Sequence, residues 1–276
     1  MSSPYDVGLG RNAANHQPLT PLPFLSRAAA VYPDHTAVVH GERSHTYREL
    51  YGRSRRLASA LARRGIKRGD TVSIMAPNVP EMLEAHYGVP MTGAVLNALN
   101  IRLDADTIRF LLEHGEAKAL LTDRELSPVI QKALEGLSRR PLVVDIDDPL
   151  AASGELLGET DYESFLEEGD PAHEWALPED EWDAISLNYT SGTTGNPKGV
   201  VYHHRGAYLL AAGNLLAWHM RAHPVYLWTL PMFHCNGWCF PWSLSINAGT
   251  HVCLRKVAPD TIYDAIRRHH VSHLCG

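Results

Sequence analysis

A short run of small and hydroxyl-bearing residues is the part of this sequence best suited to chemistry. Residues 189–200 read YTSGTTGNPKGV, with three glycines, four Ser or Thr hydroxyls, one lysine and no acidic side chain. Glycines let the backbone approach a ligand closely, and successive backbone N–H groups can surround an anion. Since hydroxyl donors and the cation of Lys198 add to such a cradle, the run predicts a loop that binds a polyphosphate.

Two common phosphate-binding patterns do not fit this run. The P-loop of nucleotide triphosphatases has a hydroxyl residue directly after its lysine, whereas Gly199 follows Lys198 here. The dinucleotide fingerprint GxGxxG does not fit either, because the glycines stand at 192, 195 and 199. The sequence therefore predicts a phosphate loop of a different class.

The segments around the loop predict an α/β fold. Short apolar runs alternate with helical patterns, which indicates βαβ units and stacked, mostly parallel sheets with flanking helices. Thr46 and Glu49 have the capping-box spacing at the start of one helix. The predicted strands are 71–77, 94–100, 117–123, 141–147, 184–190, 225–231, 250–256 and 271–276, and the predicted helices are 46–64, 80–91, 104–112, 127–137, 205–218 and 258–270.

Two subdomains are predicted from the distribution of these elements. The first covers residues 1–180 and ends in an acidic, aperiodic stretch from 148 to 180, which is either a surface excursion or a boundary. The second begins at 181, carries the phosphate loop and runs to 276.

Composition excludes several classes of protein. The chain has 276 residues, of which 45% are hydrophobic and 20% charged, as in ordinary globular proteins. A formal net charge of −6 argues against nucleic-acid binding. No apolar run reaches the ~20 residues of a membrane span, so stable membrane insertion is not expected. Because no secretory signal is visible, a cytoplasmic location follows by default.

Four cysteines and sixteen histidines raise the question of a metal site. The cysteines all lie in the last sixth of the chain, which does not suggest a disulfide scaffold. A zinc site is a minor alternative, since no CxxC or HExxH pattern is present. Its ligands would come from His234, Cys235, Cys239, His251 and Cys253.

The run at 190–199, TSGTTGNPKG, resembles the signature of the adenylate-forming enzymes, which include acyl-CoA synthetases, adenylation domains and luciferases. The resemblance continues in TYREL (46–50), GAVLNALNIRL (93–103) and PMFHCNGWCFPW (231–242), in the family's order. It covers residues 36–276 and fits best the acyl-CoA synthetases of medium-chain, long-chain and related carboxylic acids. It implies the N-terminal domain of such a synthetase, in incomplete form, with a role in fatty-acid or other lipid metabolism.

This resemblance implies a ligase that forms a carbon–sulfur bond in two steps. The carboxylate of the acid attacks the α-phosphorus of Mg-ATP, which gives an acyl-adenylate and pyrophosphate. The thiol of coenzyme A then displaces AMP. Preorganised donors and Mg²⁺ would neutralise the phosphates for the first step.

The resemblance also implies roles for individual residues. Lys198 would add charge to the phosphate loop, and Thr190 would be a magnesium ligand. His234 would be a catalytic residue that shapes the site of the acid. For Trp238, a gate of the acyl tunnel and a plain core tryptophan are equal alternatives. The ATP-binding loop residues would be Thr190, Ser191, Gly192, Thr193, Thr194, Gly195 and Lys198, and the acid-binding residues would be His234, Asn236, Gly237 and Trp238.

Several parts of the family pattern have no counterpart in these 276 residues. They include the adenine-contacting loop, the ribose-binding Asp, the acidic partner of the magnesium site, and the small C-terminal lobe with its lysine. We therefore expect the N-terminal part of a longer synthetase, with little activity alone. The alternatives are an adenylation domain that loads another thiol carrier and a non-catalytic nucleotide-binding remnant. Since relatives are often dimers, the resemblance also suggests a homodimer.

Overall fold

The computed structural model describes residues 3–190 and 196–275. The helices are α1 Leu22–Val31, α2 Tyr47–Arg63, α3 Pro80–Met91, α4 Ala105–His114, α5 Ser127–Glu135, α6 Tyr162–Glu167, α7 His204–Ala217, α8 Phe240–Ile246 and α9 Pro259–His269. The strands are β1 Thr36–His40, β2 Arg43–Thr46, β3 Thr71–Met75, β4 Val95–Ala98, β5 Ala117–Asp123, β6 Leu142–Ile146, β7 Thr160–Asp161, β8 Ala184–Thr190, β9 Lys198–His203, β10 Val225–Trp228, β11 Thr250–Cys253 and β12 His273–Leu274. Among the helices of the described ranges, none combines the length and apolar character needed to cross a bilayer.

The strands form two sheets. The seven-stranded sheet has the order β7-β6-β5-β3-β4-β8-β9, and the five-stranded sheet has the order β12-β10-β11-β1-β2. Two pairs, β1–β2 and β8–β9, are antiparallel hairpins, and the other pairs within the described residues are parallel. The predicted α/β class with stacked, mostly parallel sheets is confirmed.

Each sheet draws strands from both sides of residue 180. Strands β8 and β9 extend the seven-stranded sheet, although they follow the acidic stretch. The hairpin β1–β2 joins the five-stranded sheet, where β1 lies beside β11 with Val38 in register with His251. The division into 1–180 and 181–276 stays a prediction, and each of the two sheets contains strands from both sides of it.

The main core lies between the two sheets. Trp228 and Val38 of the five-stranded sheet share one buried cluster with Val72 and Leu121 of the seven-stranded sheet. Helices α1, α2, α3 and α8 contribute to this cluster, and α3 is buried along its whole length. A helix buried on all sides needs apolar residues all round, which α3 largely has. Helices α4 and α5 cover the outer face of the seven-stranded sheet, and α9 covers that of the five-stranded sheet.

The acidic stretch 148–180 contains structure that its composition did not reveal. Strand β7 pairs with β6, and α6 packs against α2 with Tyr162 and Phe165 buried. The Tyr162 hydroxyl donates to Glu84 Oε2 at 2.8 Å. A helix of six residues is too short to give a periodic signal, so the sequence offered only a surface excursion or a boundary.

The predicted capping box of α2 is present. Thr46 Oγ1 accepts from the backbone N–H of Glu49 at 3.3 Å, and Glu49 Oε2 accepts from the backbone N–H of Thr46 at 2.7 Å. These bonds satisfy two donors that a helix start otherwise leaves unpaired.

Replacing Thr46 by alanine should lower the free energy of unfolding by about 1 kcal/mol, because one capping bond is lost. Urea unfolding followed by circular dichroism measures this. Ser44→Ala, at an exposed position of neighbouring β2, should change stability by less than about 0.5 kcal/mol. Equal effects of the two substitutions would contradict the capping role.

Candidate active site

The hairpin β8–β9 holds the two described ends of the predicted phosphate loop. Thr190 ends β8, Lys198 begins β9, and the two residues are register partners. Both side chains are exposed. The predicted strand 184–190 is confirmed, because β8 has the same bounds. The predicted loop follows this strand in the sequence. The other predicted ATP-binding residues, Ser191, Gly192, Thr193, Thr194 and Gly195, lie outside the described residues, and their roles stay predictions.

The predicted acid-binding motif folds into a left-handed turn after β10. Five consecutive residues have φ angles between +41° and +62°: Cys235, Asn236, Gly237, Trp238 and Cys239. Left-handed helical backbone costs roughly 1–2 kcal/mol for each non-glycine residue. Such strain persists only where the surroundings hold it, and it is concentrated at functional sites. Only Asn236 and Gly237 favour this conformation, so the sequence did not predict it.

Asn78, just before α3, holds the chain that leads into this turn. Its Nδ2 donates to the carbonyls of Trp228 and Leu230, each at 2.9 Å, and its Oδ1 accepts from the backbone N–H of Met232 at 2.8 Å. Asn78 is buried, so these three bonds satisfy its amide away from water. Gly237 lies against the same segment, where an added Cβ would stand 2.8 Å from the Trp228 ring.

The two predicted motifs meet at one cavity of about 340 Å³. Thr190 and Pro197 line it from the hairpin, and Phe233, His234 and Cys235 line it from the acid-binding motif. The other lining residues are Ala98, Leu99, Asn100, Leu103, Thr107, Leu111, Asn188, Tyr189, Val200 and Tyr202. A concave, mostly apolar space of this size with a few polar groups is typical of small-molecule sites.

The predicted acid-binding side chains do not all face this cavity. His234 is exposed and lines it. Trp238 is 56% exposed and lies outside the core formed by the described residues, and its role as a gate stays a prediction. Asn236 and Gly237 are buried, and contact between either residue and a substrate stays a prediction. The Trp238 carbonyl accepts from Asn214 Nδ2 of α7 at 2.8 Å.

The donor set of the cavity suits phosphate better than it suits a metal. Thr190 lines the cavity and offers a hydroxyl, and its register partner Lys198, which does not line the cavity, carries a positive charge at the base of the loop, as a polyphosphate requires. Mg²⁺ prefers carboxylate oxygens, and no acidic side chain lines the cavity in the described part of the chain. Thr190 would thus supply one oxygen of a magnesium site whose other ligands come from elsewhere.

Tyr202 is a site residue that the sequence analysis missed. It lies two residues beyond Val200 on β9, so both side chains point to the same face, and both line the cavity. Burial, together with the neighbouring Cys235 thiol, raises the pKa of Tyr202 to about 12. The phenol therefore keeps its proton at neutral pH and can donate to a ligand. The alternation of side chains along the strand after the loop could have predicted that Tyr202 lies on the same face as Val200.

The zinc alternative gains no support from the geometry. Within residues 3–190 and 196–275, no group of three or more His, Cys, Asp or Glu side chains could hold a metal ion. Cys235, Cys239, Cys253 and Cys275 are free thiols.

A larger cavity, of about 810 Å³, lies near the ends of β5 and β11. Asp123, Glu125 and Arg255 line it, and Arg255 forms an ion pair with each of the two carboxylates. It contains none of the predicted site residues, so size alone does not identify the site.

Comparison with known proteins agrees with the fold and the motifs. The profile of the AMP-binding enzyme family matches residues 25–276. The peroxisomal acetate/butyrate–CoA ligase AAE7 of Arabidopsis thaliana is 51% identical over 275 residues, which are 95% of this chain and 48% of that protein. The acetate–CoA ligase CCL3 of Humulus lupulus is 48% identical over 280 residues, with 97% and 49% covered.

A solved structure adds agreement in three dimensions. A putative long-chain-fatty-acid–CoA ligase from Rhodopseudomonas palustris superposes with a TM-score of 0.81 at 26% identity, over 94% of this chain and 63% of that one. The chain belongs to the family of AMP-binding enzymes, the adenylate-forming superfamily that contains the acyl-CoA synthetases. The chain spans about half the length of the curated relatives it matches.

Proposed function

We propose that this chain supplies the phosphate loop and part of the acid site of an ATP-dependent acyl-CoA ligase. The observation that carries the proposal is the single cavity lined by Thr190 of the hairpin and His234 of the acid-binding motif. An enzyme that joins a carboxylate to the α-phosphorus of ATP must bring the two substrates into contact at one place. Coenzyme A would then accept the acyl group.

The residues of this chain would act mainly by binding and orientation. Lys198 would offset the negative charge of the phosphates, and the Thr190 hydroxyl would donate a hydrogen bond to them, so that an anionic carboxylate can approach. His234 would orient the carboxylate from the opposite wall. Mg²⁺, when bound, would supply further charge neutralisation, with Thr190 as one ligand.

The substrate we propose is a short-chain carboxylic acid rather than the medium- or long-chain acid that the sequence suggested. Two relatives near 50% identity carry acetate or butyrate in their names.

The test uses the full-length gene product with ATP, Mg²⁺ and a panel of acids from acetate to palmitate. We expect pyrophosphate release that is largest with acetate or butyrate, and an acyl-CoA product detected by mass spectrometry. Release without thioester formation on coenzyme A would favour another thiol carrier. ATP binding without pyrophosphate exchange would favour a non-catalytic remnant. Highest turnover with palmitate would reject the short-chain proposal.

Replacing Lys198 by alanine should lower kcat/KM for ATP about tenfold or more, since a charge-assisted contact to the phosphates is lost. Steady-state pyrophosphate release measures the effect. Lys132→Ala, an exposed change on α5, should leave kcat/KM within about twofold. Unchanged ATP kinetics in the Lys198 variant would remove the hairpin from the site.

Location and assembly are further proposals. We retain the cytoplasm as the compartment, although the names of five relatives place those proteins in peroxisomes. A homodimer is proposed as well. Imaging of the tagged full-length gene product tests the compartment, and sedimentation tests the assembly.

A further inference from the structure

His86 is one of the buried polar side chains of helix α3. It is fully buried. Its Nδ1 is 2.7 Å from the carbonyl oxygen of Met82, one turn earlier. A carbonyl can only accept, so Nδ1 carries the proton and donates, and Nε2 is left as an acceptor.

The partner of that acceptor lies in the left-handed turn. Asn236 Nδ2 is 3.3 Å from His86 Nε2, and Asn236 is fully buried. A second contact follows along the chain, where Trp242 Nε1 donates to the His86 carbonyl at 3.1 Å. The two rings also meet edge to face, with 5.6 Å between their centroids. One residue of α3 thus contacts the turn and the helix that follows it.

The turn needs such support because its backbone is strained. Asn236 has φ +41° and ψ +49°, and residues on both sides share this conformation. A conformation of this kind persists only where neighbouring groups determine it. Asn78 fixes the entry to the turn at Trp228, Leu230 and Met232. Among the described side chains, His86 is the one that bonds the side chain of Asn236 within the turn.

We propose that His86 is a positioning residue of the acid site. By holding Asn236, it holds the turn between His234 and Trp238, and therefore the wall of the cavity opposite the phosphate hairpin. His86 does not line the cavity and acts through Asn236. The inference has a structural half, that His86 holds the turn, and a functional half, that this support matters for binding the acid. Only the functional half rests on the proposed acyl-CoA ligase activity.

The test compares two substitutions of His86 in the full-length gene product. His86→Phe keeps a ring beside Trp242 and removes the acceptor. His86→Gln provides a carbonyl oxygen that can accept from Asn236. Asn97→Ala serves as a matched control, because Asn97 is also fully buried and bonds Ser73 Oγ at 3.1 Å inside the seven-stranded sheet.

Two readouts separate the structural half from the functional half. The first is hydrogen exchange of the peptide that covers residues 230–242, which requires no activity. We expect His86→Phe to exchange about tenfold faster there, and His86→Gln and Asn97→Ala to exchange as the wild type does. The second is steady-state kinetics with butyrate. We expect His86→Phe to raise the KM for butyrate about tenfold, with the KM for ATP within about twofold, and His86→Gln to restore most of the loss.

Each outcome decides one half of the inference. Faster exchange in His86→Phe, combined with a wild type that has no acid-dependent activity, would support the positioning of the turn and reject the proposed function. Unchanged exchange in His86→Phe would overturn the inference. If His86→Phe raised the KM values for butyrate and ATP equally, or changed the KM for butyrate no more than Asn97→Ala does, His86 would be an ordinary core residue without a positioning role. In the double variant His86→Phe with Asn236→Ala, the changes in exchange and in KM should be no larger than those of either single substitution. Additive changes would refute the action of His86 through Asn236.

Discussion

Replacing Arg255 by methionine is expected to lower the free energy of unfolding by about 3–5 kcal/mol, because it leaves the buried carboxylate of Asp123 without its charged partner. Asp148 loses one contact but keeps those to His40 and Arg43. Arg255 follows β11 and is largely buried. It donates to both oxygens of Asp123, at 2.6 and 2.7 Å, and to Asp148 Oδ2 at 2.8 Å. The side chains of both aspartates are fully buried. The guanidinium of Arg255 therefore links the two sheets at a point where the two aspartate carboxylates are inaccessible to water.

Chemical unfolding of three variants tests this expectation. Arg255→Lys keeps the charge and loses the planar two-pronged geometry, so it should fall between wild type and Arg255→Met. Arg267→Met removes an exposed pair with Asp264 on α9 and should cost less than about 1 kcal/mol. A loss for Arg255→Met as small as that for Arg267→Met would show that the buried network contributes little.

Acidification from pH 7 to pH 4.5 should destabilise the protein strongly through three buried histidines. Burial lowers the pKa of His86 to about 4, of His204 to about 4 and of His251 to about 3. In the unfolded chain these rings titrate near pH 6.5. Between pH 6.5 and pH 4 the unfolded state therefore binds more protons, and stability falls as the pH falls. Each histidine adds a slope of up to about 1.4 kcal/mol per pH unit.

Unfolding curves at half-unit steps from pH 4.5 to pH 7.5 measure this slope. Removing one buried histidine should reduce the slope of the free energy of unfolding against pH by the amount that this histidine contributes. His204→Gln is suited to this purpose, since His204 bonds Thr20 at 2.8 Å outside the candidate site. His16→Gln, on the exposed N-terminal segment, should leave the slope unchanged. A stability that is flat across the range would mean that the rings are protonated inside the fold.

Local patterns predicted much of the fold, because the periodic segments were long or were bounded by Pro, Gly or capping residues. Strand β5 and helix α3 have the predicted bounds, and Thr46 caps α2 as expected. The features that sequence patterns did not predict depend on distant partners. No local signal states that β1 will lie beside β11, or that Asn78 will hold a turn more than 150 residues away.

The same division applies to the candidate site. The motifs predicted that Thr190 and His234 carry chemistry, and the structure places both at one cavity. The support for that cavity was not predictable, since a buried histidine within a helix looks like any core position. Side chains that contact no ligand leave no pattern in a single sequence, and only the packing of α3 against the turn reveals them.

The pairing of β1 with β11 also sets an order of assembly during synthesis. All strands of the seven-stranded sheet have been synthesised once residue 203 is made, whereas the hairpin β1–β2 receives its neighbour β11 only after residue 253. Throughout that interval the hairpin β1–β2 has an unpaired edge, which is the kind of surface that can pair with other nascent chains. We therefore expect chaperone contacts during synthesis to be most frequent at the hairpin β1–β2.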